Sequence, residues 1–298
     1  MKSMNNNKYK RINEMSIHSQ EHGTGINYSA SDVDSKAPKL VEPFAIRIFN
    51  ESGDPEAALR MQQMQAESYV RFNIAPQSAV EPDGTLSKDL DHARGEHVTY
   101  YHATPNIPGI LGEASARVIN GAITSLPAYT GCLDTIYPEY KDVLNDMAED
   151  GMTFREVGAV ALTKGTSSIA TFSIVRDVVQ DAIRNDRSEV LIGRQTQHAL
   201  NGFRAMFGSI AVKTIGTGSV LQAGEDMTVE LTPVFAEATK SLDNLLAEIK
   251  QPETDEKIRG KLTQSLMFLM DGLYKSEVSD EVNEYISTNF GLVLPTRG

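Results

Sequence analysis

The fold is decided by residues 154–183, FREVGAVALTKGTSSIATFSIVRDVVQDAI, which divide into two halves of different pattern. The first half, up to Thr163, is apolar enough for a strand in the interior of a sheet. The second half, from Ser168 onward, repeats apolar residues at helical spacing. A strand, a short turn and a helix in this order are typical of an α/β protein.

The junction between these halves, Lys164-Gly165-Thr166-Ser167-Ser168, has two interpretations. Unpaired N–H groups at the start of a helix stabilise an anion, and glycine lets the backbone approach it closely. The lysine adds a positive charge and the three hydroxyls can donate hydrogen bonds. These properties predict a cradle for a phosphate group. An ordinary turn with a serine N-cap would use the same residue types, so that interpretation stays open.

Composition limits the classes of protein that the chain can belong to. It has 298 residues, enough for one large domain or two small ones, and a formal net charge of -12. Such an acidic chain is not expected to bind nucleic acid or an anionic membrane through its whole surface. No apolar run approaches the roughly 18 residues of a membrane span. The N-terminus lacks the hydrophobic segment of a secretory signal, and a cytoplasmic location is predicted.

Cysteine and histidine usage argues against a metal site or a disulfide. Cys132 is the single cysteine, so no disulfide within the chain is possible, and no partner stands at a spacing that would make it a nucleophile. A packed thiol is the simpler interpretation. The six histidines form no HxxxH or HExxH pattern, and no catalytic metal is predicted.

Periodicity along the chain predicts an α/β fold with a mixed sheet and three regions. Residues 1–40 are polar and without sustained periodicity, as in a flexible N-terminal tail, residues 41–238 form the domain, and residues 239–298 form a helical C-terminal extension. The extension is expected to pack on the domain or on a second copy of the chain. Strands are predicted at 43–50, 96–104, 109–119, 155–163, 188–196, 211–218 and 226–236, and helices at 52–72, 137–151, 167–185, 197–208, 254–275 and 279–290.

Several polar residues in this element order share the pattern of one known family. An Arg-aromatic pair ends the first helix, two acids precede the second strand, a Gly-x-x-x-x-Arg segment leads into the third strand, and a glutamate lies in the fourth strand. These residues are Arg71 and Phe72, Asp89 and Asp91, Gly112 and Arg117, and Glu156.

In order and spacing, these residues resemble the GNAT acyltransferases, and among them the N-acyl amino acid synthases and acyl-homoserine-lactone synthases. The resemblance covers residues 44–236. It implies a central twisted mixed sheet flanked by helices. It also implies a thioester donor, acyl-CoA or acyl carrier protein, lying along the strand of Glu156 where that strand parts from the strand at 188–196.

The same resemblance implies roles for the residues in the site. Glu156 would take a proton from the attacking amine, and burial would raise the pKa of its carboxyl to suit that role. Backbone N–H groups near residues 161–163 would stabilise the oxyanion. Lys164 to Ser168 would hold a phosphate of the donor. An amino-acid-like acceptor would be bound by Arg71, Asp89, Asp91 and Arg117.

Other interpretations remain open. Glu156 could instead form a structural ion pair with Arg155 or Arg117. The synthases follow their glutamate with Ser-Arg-Phe, where this chain has Gly158, Ala159 and Val160, and this chain has no Trp. These departures favour a different acceptor or a non-catalytic binding or assembly module. A nucleotide-binding α/β enzyme is the third alternative, although GxxxxGK[ST] and GxGxxG are absent.

The resemblance does not distinguish the two donor classes. An acyl carrier protein is acidic and would need a basic patch on this chain. The candidates by proximity in sequence are Arg184, Arg187, Arg194 and Arg204.

Overall fold

A computed structural model describes residues 42–87, 98–184, 189–222 and 228–297 of the chain. The tail predicted for residues 1–40 lies outside these residues. The described residues form eight strands that belong to one sheet. The strands are β1 Phe44–Asn50, β2 Val98–Pro105, β3 Ala114–Gly121, β4 Thr153–Leu162, β5 Glu189–Gln195, β6 Lys213–Thr214, β7 Ser219–Gln222 and β8 Thr228–Glu237.

The α-helices of the described residues alternate with these strands in the middle of the chain and follow one another after β8. None of these helices is long and apolar enough to cross a membrane. The helices are α1 Pro55–Arg71, α2 Pro127–Thr130, α3 Pro138–Glu149, α4 Ser168–Arg184, α5 Gln197–Ala211, α6 Ser241–Lys250, α7 Glu256–Met270 and α8 Asp280–Phe290.

The sheet is mixed, as the sequence predicts. Its strand order is β1-β2-β3-β4-β5-β8-β6, with β7 paired to β8. Neighbouring strands are antiparallel except β4 and β5, which run parallel. A parallel pair needs a long crossover, and the 17 residues of α4 supply it. The strand-turn-helix pattern of residues 154–183 therefore produces the one parallel pair in the described sheet.

Alternation along the strands places two hydrophobic cores on opposite faces of the sheet. On one face, Met61 and Met64 of α1 pack with Tyr100 of β2 and with residues of α2 and α3. On the other face, Ile174 of α4 packs with Tyr101, the next residue along β2. The two faces are named here the α1 face and the α4 face.

The three C-terminal helices α6, α7 and α8 pack on α4 and α5. Leu245 of α6, Leu266 of α7 and Ile286 of α8 are fully buried in one cluster with Val179 of α4 and Leu200 of α5. Burial of several such side chains contributes about 1.5–3 kcal/mol each. The C-terminal helices therefore share a core with the rest of the fold. The predicted domain boundary at residue 238 and assembly through these helices stay predictions.

Three elements differ from the sequence prediction. β3 begins at Ala114 rather than residue 109, because Gly109 and Gly112 adopt left-handed backbone angles that end a strand. The short helix α2 lies where the sequence predicted no element. The strand predicted for 211–218 is reduced to the two residues of β6, because α5 extends to Ala211, and β7 follows where the sequence predicted no strand.

Helix α5 contains a break at Gly208, where the sequence predicted its end. Gly208 has φ 80° and ψ 163°, outside the helical region, and the chain then resumes a helical course to Ala211. Glu248 of α6 accepts hydrogen bonds from Ser209 Oγ at 3.0 Å and from Ile210 N–H at 3.1 Å. Its carboxylate thus satisfies backbone and side-chain donors that the break leaves without a partner in the helix.

This break predicts opposite effects for two substitutions in one helix. Alanine at Gly208 would adopt a strained φ, and its Cβ would lie 2.5 Å from Glu248 Oε2. We expect Gly208→Ala to lower the free energy of unfolding by about 1–3 kcal/mol. Gly202→Ala is the matched control, since no atom lies within 4 Å of its Cβ. It should raise stability by about 0.5–1 kcal/mol. Urea unfolding midpoints measure both, and a Gly208→Ala midpoint at or above wild type would contradict the account.

Candidate active site

Glu156 lies in the interior strand β4, and it is 7% exposed. In register it stands between Ile119 of β3 and Ile192 of β5. Its Oε2 accepts a hydrogen bond of 2.7 Å from the N–H of Ala128, in the first turn of α2. N–H groups of a first helical turn have no partner within the helix, so α2 offers this one to the carboxylate.

Burial raises the pKa of the Glu156 carboxyl above the ordinary value for a glutamate. The hydrogen bond from Ala128 and the positive charges of Arg117 and Arg194 act in the opposite direction and offset part of that rise. Desolvation penalises the charged form, whereas an N–H donor and nearby cations favour it. The direction agrees with the prediction made from the sequence for Glu156.

Arg155 does not pair with Glu156. Its guanidinium bonds to Asp181 of α4 at 3.0 Å and to Glu189 of β5 at 2.9 Å. Adjacent strand residues point to opposite faces, which places Arg155 on the α4 face. Its ion pairs join β4, α4 and β5, so the ion pair with Arg155 considered for Glu156 is not formed.

Glu156 shares the α1 face with two guanidinium groups. Arg117 of β3 stands opposite Gly158, two residues beyond Glu156 on the same face. A Cβ at Gly158 would lie 3.6 Å from Glu156 Oε1, so glycine leaves the surface beside the carboxylate uncovered. Arg194 lies on β5 two residues beyond Ile192. Glu156 is therefore flanked on this face by the guanidinium groups of Arg117 and Arg194, one from each neighbouring strand.

Strand β4 is irregular just after Glu156. Ser115 of β3 opposes Ala161, whereas Arg117 opposes Gly158. Over this stretch β4 advances by three residues while β3 advances by two. Ala159, inside this step, has a φ of 48°. One extra residue is a β-bulge, which bends its strand, and a non-glycine residue at positive φ is strained.

Strands β4 and β5 part at the same place. Their parallel pairing runs only from Thr153 to Glu156 on β4 and from Glu189 to Ile192 on β5. Among the described strands, β4 pairs beyond Glu156 with β3 alone, and β5 continues beside β8. The side of β4 that faces away from β3 is therefore not covered by any other described strand, and Glu156 lies at the point where β4 and β5 part.

Helix α1 covers part of this open side of β4. Leu162 N–H donates to Ser68 Oγ at 3.3 Å, and the Leu162 carbonyl accepts from the Arg71 guanidinium. The N–H of Thr163 donates to the Glu113 carbonyl at 2.9 Å. Two of the three N–H groups predicted for an oxyanion site, at residues 161–163, are thus occupied. Backbone direction alternates along a strand, so Val160 N–H points to the same side as Leu162, nearer the bulge.

The Lys164–Ser168 junction forms the predicted turn before α4. Lys164, Gly165, Ser167 and Ser168 are exposed, and Gly165 has a φ of 84°. Ser167 Oγ accepts from the N–H of Ile169 at 3.3 Å, as expected for a capping serine. The exposed lysine and glycine lie beside the first turn of a 17-residue helix.

The Thr166 side chain bonds to the backbone of the turn and of the segment before β3. Its Oγ1 lies 2.9 Å from the Thr163 carbonyl oxygen and 3.1 Å from that of Glu113. Gly112 makes this approach possible, because a Cβ there would lie 2.1 Å from Thr166 Oγ1. The hydroxyl proton of Thr166 therefore has acceptors within the chain, in contrast to the exposed hydroxyls of Ser167 and Ser168.

The predicted acceptor residues are only partly assembled. Arg117 lies on the face of Glu156, and Arg71 reaches the far end of β4 at Leu162, with its Cζ 4.9 Å from the centre of the Phe72 ring. Asp89 and Asp91 lie outside the described residues. Their role stays a prediction.

The sequence analysis missed polar residues between α1 and the sheet. Gln62 Nε2 donates to Tyr100 OH at 3.0 Å in a buried position. Gln65 and Ser68 are buried on the same helix face, together with Gln62 at a spacing of three. Polar residues at helical spacing among the apolar Met61 and Met64 were the available signal. They give the α1 face a polar strip that reaches from β2 to the end of β4.

Two of the four arginines predicted for a basic patch form hydrogen bonds within the chain. Arg184 Nη2 donates to the Gly272 carbonyl and Arg204 Nη2 to Thr214 Oγ1, while Arg187 lies outside the described residues. Within the described part of the chain, no group of three or more His, Cys, Asp or Glu is placed to hold a metal ion. Cys132 is buried, with its Sγ 3.2 Å from Ser219 Oγ.

The raised pKa predicts how Glu156 affects stability with pH. A raised carboxyl pKa favours folding below the unfolded-state pKa, and that contribution is lost as pH rises through the folded-state pKa. Glutamine keeps the shape, and its oxygen can accept from Ala128 N–H. We expect Glu156→Gln to unfold at a higher temperature than wild type near pH 8, with the difference shrinking toward about pH 4.

Thermal unfolding across this pH range measures the effect. Glu253→Gln is the control, because Glu253 is exposed. It should leave the melting temperature of the protein close to that of wild type. A Glu156→Gln variant that is less stable at high pH, or a gap that widens on acidification, would contradict the account.

Comparison with known proteins gives structural neighbours of low identity. No protein-family model matches the chain, and no curated protein matches it. FeeM, an N-acyl amino acid synthase from uncultured soil microbes, is similar over 70% of this chain and 98% of its own, with 16% identity and a TM-score of 0.45. BjaI, a CoA-dependent acyl-homoserine lactone synthase determined with SAM and isopentyl-CoA, is similar over 74% and 99%, with 11% identity and a TM-score of 0.43. These proteins belong to the synthase classes that the motifs of this sequence resemble.

Proposed function

We propose that the protein is an N-acyltransferase that moves an acyl group from a thioester donor to the amine of an amino-acid-like small molecule. One observation carries the proposal. The buried carboxylate of Glu156 lies where β4 and β5 part, and its pKa is raised. A buried, partnered carboxylate of raised pKa beside an open strand edge suits a general base.

The reaction assigns one proton transfer to Glu156. The amine nitrogen attacks the thioester carbonyl carbon, an amide bond forms, the carbon–sulfur bond breaks and the thiolate leaves. The nitrogen gives one proton to Glu156, directly or through water, and that proton then neutralises the thiolate. Ala128 N–H holds Glu156 Oε2, which leaves Oε1, on the side of Gly158, to accept the proton.

The open side of β4 supplies the groups for the donor. In this proposal Val160 N–H, beside the bulge at Ala159, stabilises the oxyanion of the tetrahedral intermediate. The donor runs along β4 toward residues 164–168. There Lys164, the Gly165 backbone and the hydroxyls of Ser167 and Ser168 bind a phosphate of CoA or of the carrier's phosphopantetheine.

A second candidate function, a non-catalytic module of the same fold, is favoured by one observation. Both the N–H and the carbonyl of Leu162 already bond to side chains of α1, Ser68 and Arg71. A donor that pairs with β4 as far as Leu162 must displace these two side chains. A module that binds a ligand without turnover has no such requirement.

Donor binding is tested by thermal unfolding with acetyl-CoA, a long-chain acyl-CoA or free CoA. Ligand at about 100 times its dissociation constant should stabilise the fold by roughly 2.7 kcal/mol. We expect a shift of several degrees that Lys164→Ala and Gly165→Asp remove. Lys261→Ala, at an exposed lysine of α7, is the control and should keep the shift. An unchanged shift in Lys164→Ala would show that the phosphate of the donor is not bound at this turn. Absence of any shift would leave either an acyl carrier protein as the donor or the non-catalytic module, and a pull-down with acyl carrier protein separates these two.

Catalysis is tested by release of thiol from the bound donor in the presence of amine acceptors. Because a general base must be ionised, the rate should fall as pH drops through the raised pKa of Glu156, above the range of an ordinary glutamate. Glu156→Gln should lower the rate by about 10²–10⁴-fold, and Glu253→Gln should not change it. Donor binding without thiol release in wild type would support the non-catalytic module. A Glu156→Gln variant as fast as wild type would exclude Glu156 as the base.

A further inference from the structure

We propose that the last turn of α1 is a gate that closes the edge of β4 until the donor binds. Ser68 and Arg71 hold the backbone of Leu162, and the donor displaces both side chains when it binds. The inference rests on the proposed function and adds a step of regulation to donor binding. It follows from the position of Leu162, from the two contacts that cover it, and from the ease with which each contact is exchanged.

Leu162 lies between the two parts of the proposed donor site. Val160, whose N–H stabilises the oxyanion in that proposal, is two residues before it, and Lys164, at the phosphate-binding turn, is two residues after it. Each strand residue advances by about 3.3 Å, so Leu162 lies roughly 7 Å beyond Val160. A donor that reaches from the reacting carbonyl to the turn therefore crosses the edge of β4 at Leu162.

Side chains of α1 occupy both polar groups of the Leu162 backbone. Its N–H donates to Ser68 Oγ at 3.3 Å, and its carbonyl accepts from the Arg71 guanidinium. Among the described strands, none pairs with this side of β4 beyond Glu156. An unpaired strand edge is a template for another extended chain. The edge that would admit the donor is thus closed by a helix of the same chain.

Both contacts can be exchanged by movement of side chains alone. The Ser68 bond is longer than the most common N–H···O distance of about 2.9–3.0 Å, and a helical serine has a second partner in the carbonyl four residues before it. Arg71 is exposed at the last residue of α1, and its Cζ lies 4.9 Å from the centre of the Phe72 ring. That contact with Phe72 does not depend on Leu162, so the guanidinium keeps a partner when the gate opens.

The preceding turns of α1 are fixed to the sheet. Met61 and Met64 are buried in the core of the α1 face, and Gln62 Nε2 donates to Tyr100 OH at 3.0 Å. A segment with many buried contacts opens less readily than a helix end. Opening of the gate is therefore confined to the last turn of the helix.

A donor that carries amide groups replaces both contacts bond for bond. The pantetheine arm shared by CoA and acyl carrier protein has amide carbonyls that accept from Leu162 N–H, and amide N–H groups that donate to the Leu162 carbonyl. A thioester without amides would displace the same contacts and leave both backbone groups without partners, which costs more than a hydrogen bond returns. The gate therefore admits thioesters of pantetheine and excludes simple thioesters.

The test measures donor affinity after one contact is removed. Ser68→Ala deletes the acceptor of Leu162 N–H, so the donor no longer competes with a side chain for that group. Calorimetry gives Kd for pantetheine and for CoA. We expect Ser68→Ala to bind both about twofold to tenfold more tightly than wild type, the factor that one exchanged hydrogen bond accounts for.

Arg71→Met removes the other contact and alters an exposed side chain, so the fold is kept. Pantetheine is the probe for this variant, because it has no phosphate whose attraction to arginine would offset the effect. It should bind more tightly by a similar factor. Arg60→Met on α1 and Ser287→Ala on α8 change exposed residues and are the matched controls. Both should keep the Kd of wild type.

Amide hydrogen exchange gives a second readout at Leu162 itself. Its N–H should exchange faster in Ser68→Ala than in wild type, and pantetheine should slow that exchange again. If Ser68 and Arg71 only fasten α1 to the sheet, their variants lose stability and bind pantetheine no more tightly than wild type. That result would overturn the gate.

Failure of the proposed function has a different outcome. If neither wild type nor any variant binds pantetheine or CoA, the proposed donor is wrong and the gate is overturned with it. If wild type binds CoA and releases thiol but the variants bind no more tightly, only the gate is overturned. Tighter binding by both variants without thiol release supports the gate in a module that does not turn over.

Discussion

A carboxylate buried in the interior of a sheet is costly, and the surroundings of Glu156 are arranged to offset that cost. Helix α2, although only 4 residues long, aims one N–H at the carboxylate. Arg117 and Arg194 contribute positive charge from the strands on either side. This support is incomplete, because burial still raises the pKa. The partial compensation leaves a carboxyl group whose pKa lies above that of an ordinary glutamate, which suits a group that accepts and releases a proton. Its position depends in turn on the parallel pairing of β4 with β5, which only α4 makes possible.

The parting of β4 and β5 and the bulge at Ala159 are two aspects of one distortion. A bulge bends a strand and increases its twist. It lies three residues past Glu156, and the pairing with β5 ends at Glu156 itself. The strained φ of Ala159 persists because β3 continues to pair on both sides of it. Helix α1 then closes part of the opening with Ser68 and Arg71. The edge of β4 is therefore accessible beside Glu156 and covered by α1 further along the strand, at Leu162.

Much of the fold could be predicted from the sequence because the decisive patterns are local. Residues 154–183 alone indicated a strand, a turn and a helix, and Glu156 stood out as a charge within an apolar run. Helix α2 could not be found, since 4 residues carry no periodicity and its partner is a distant side chain. Ala159 gives no signal for a left-handed φ, because alanine rarely adopts one. Arg194 resembled any surface arginine until the register placed it beside the parting of two strands. Gly208 was predicted to end its helix, because nothing local to it shows that Glu248, 40 residues later, accepts the hydrogen bonds of the turn that follows.

The hydrogen bonds between Glu248 and the end of α5 also affect when the chain can fold during its synthesis. Ser209 and Ile210 emerge from the ribosome well before the acid that accepts their hydrogen bonds. The last turn of α5 therefore lacks its partner until α6 has been synthesised. Leu200 and Phe207 share a core with α6, α7 and α8, so their apolar surface stays uncovered for the same interval. Synthesis of the sheet is complete by Glu237, but the nascent chain does not reach its stable form until the C-terminal helices have left the exit tunnel. During that interval the nascent chain exposes apolar surface of the kind that chaperones bind, and the folded protein buries that surface.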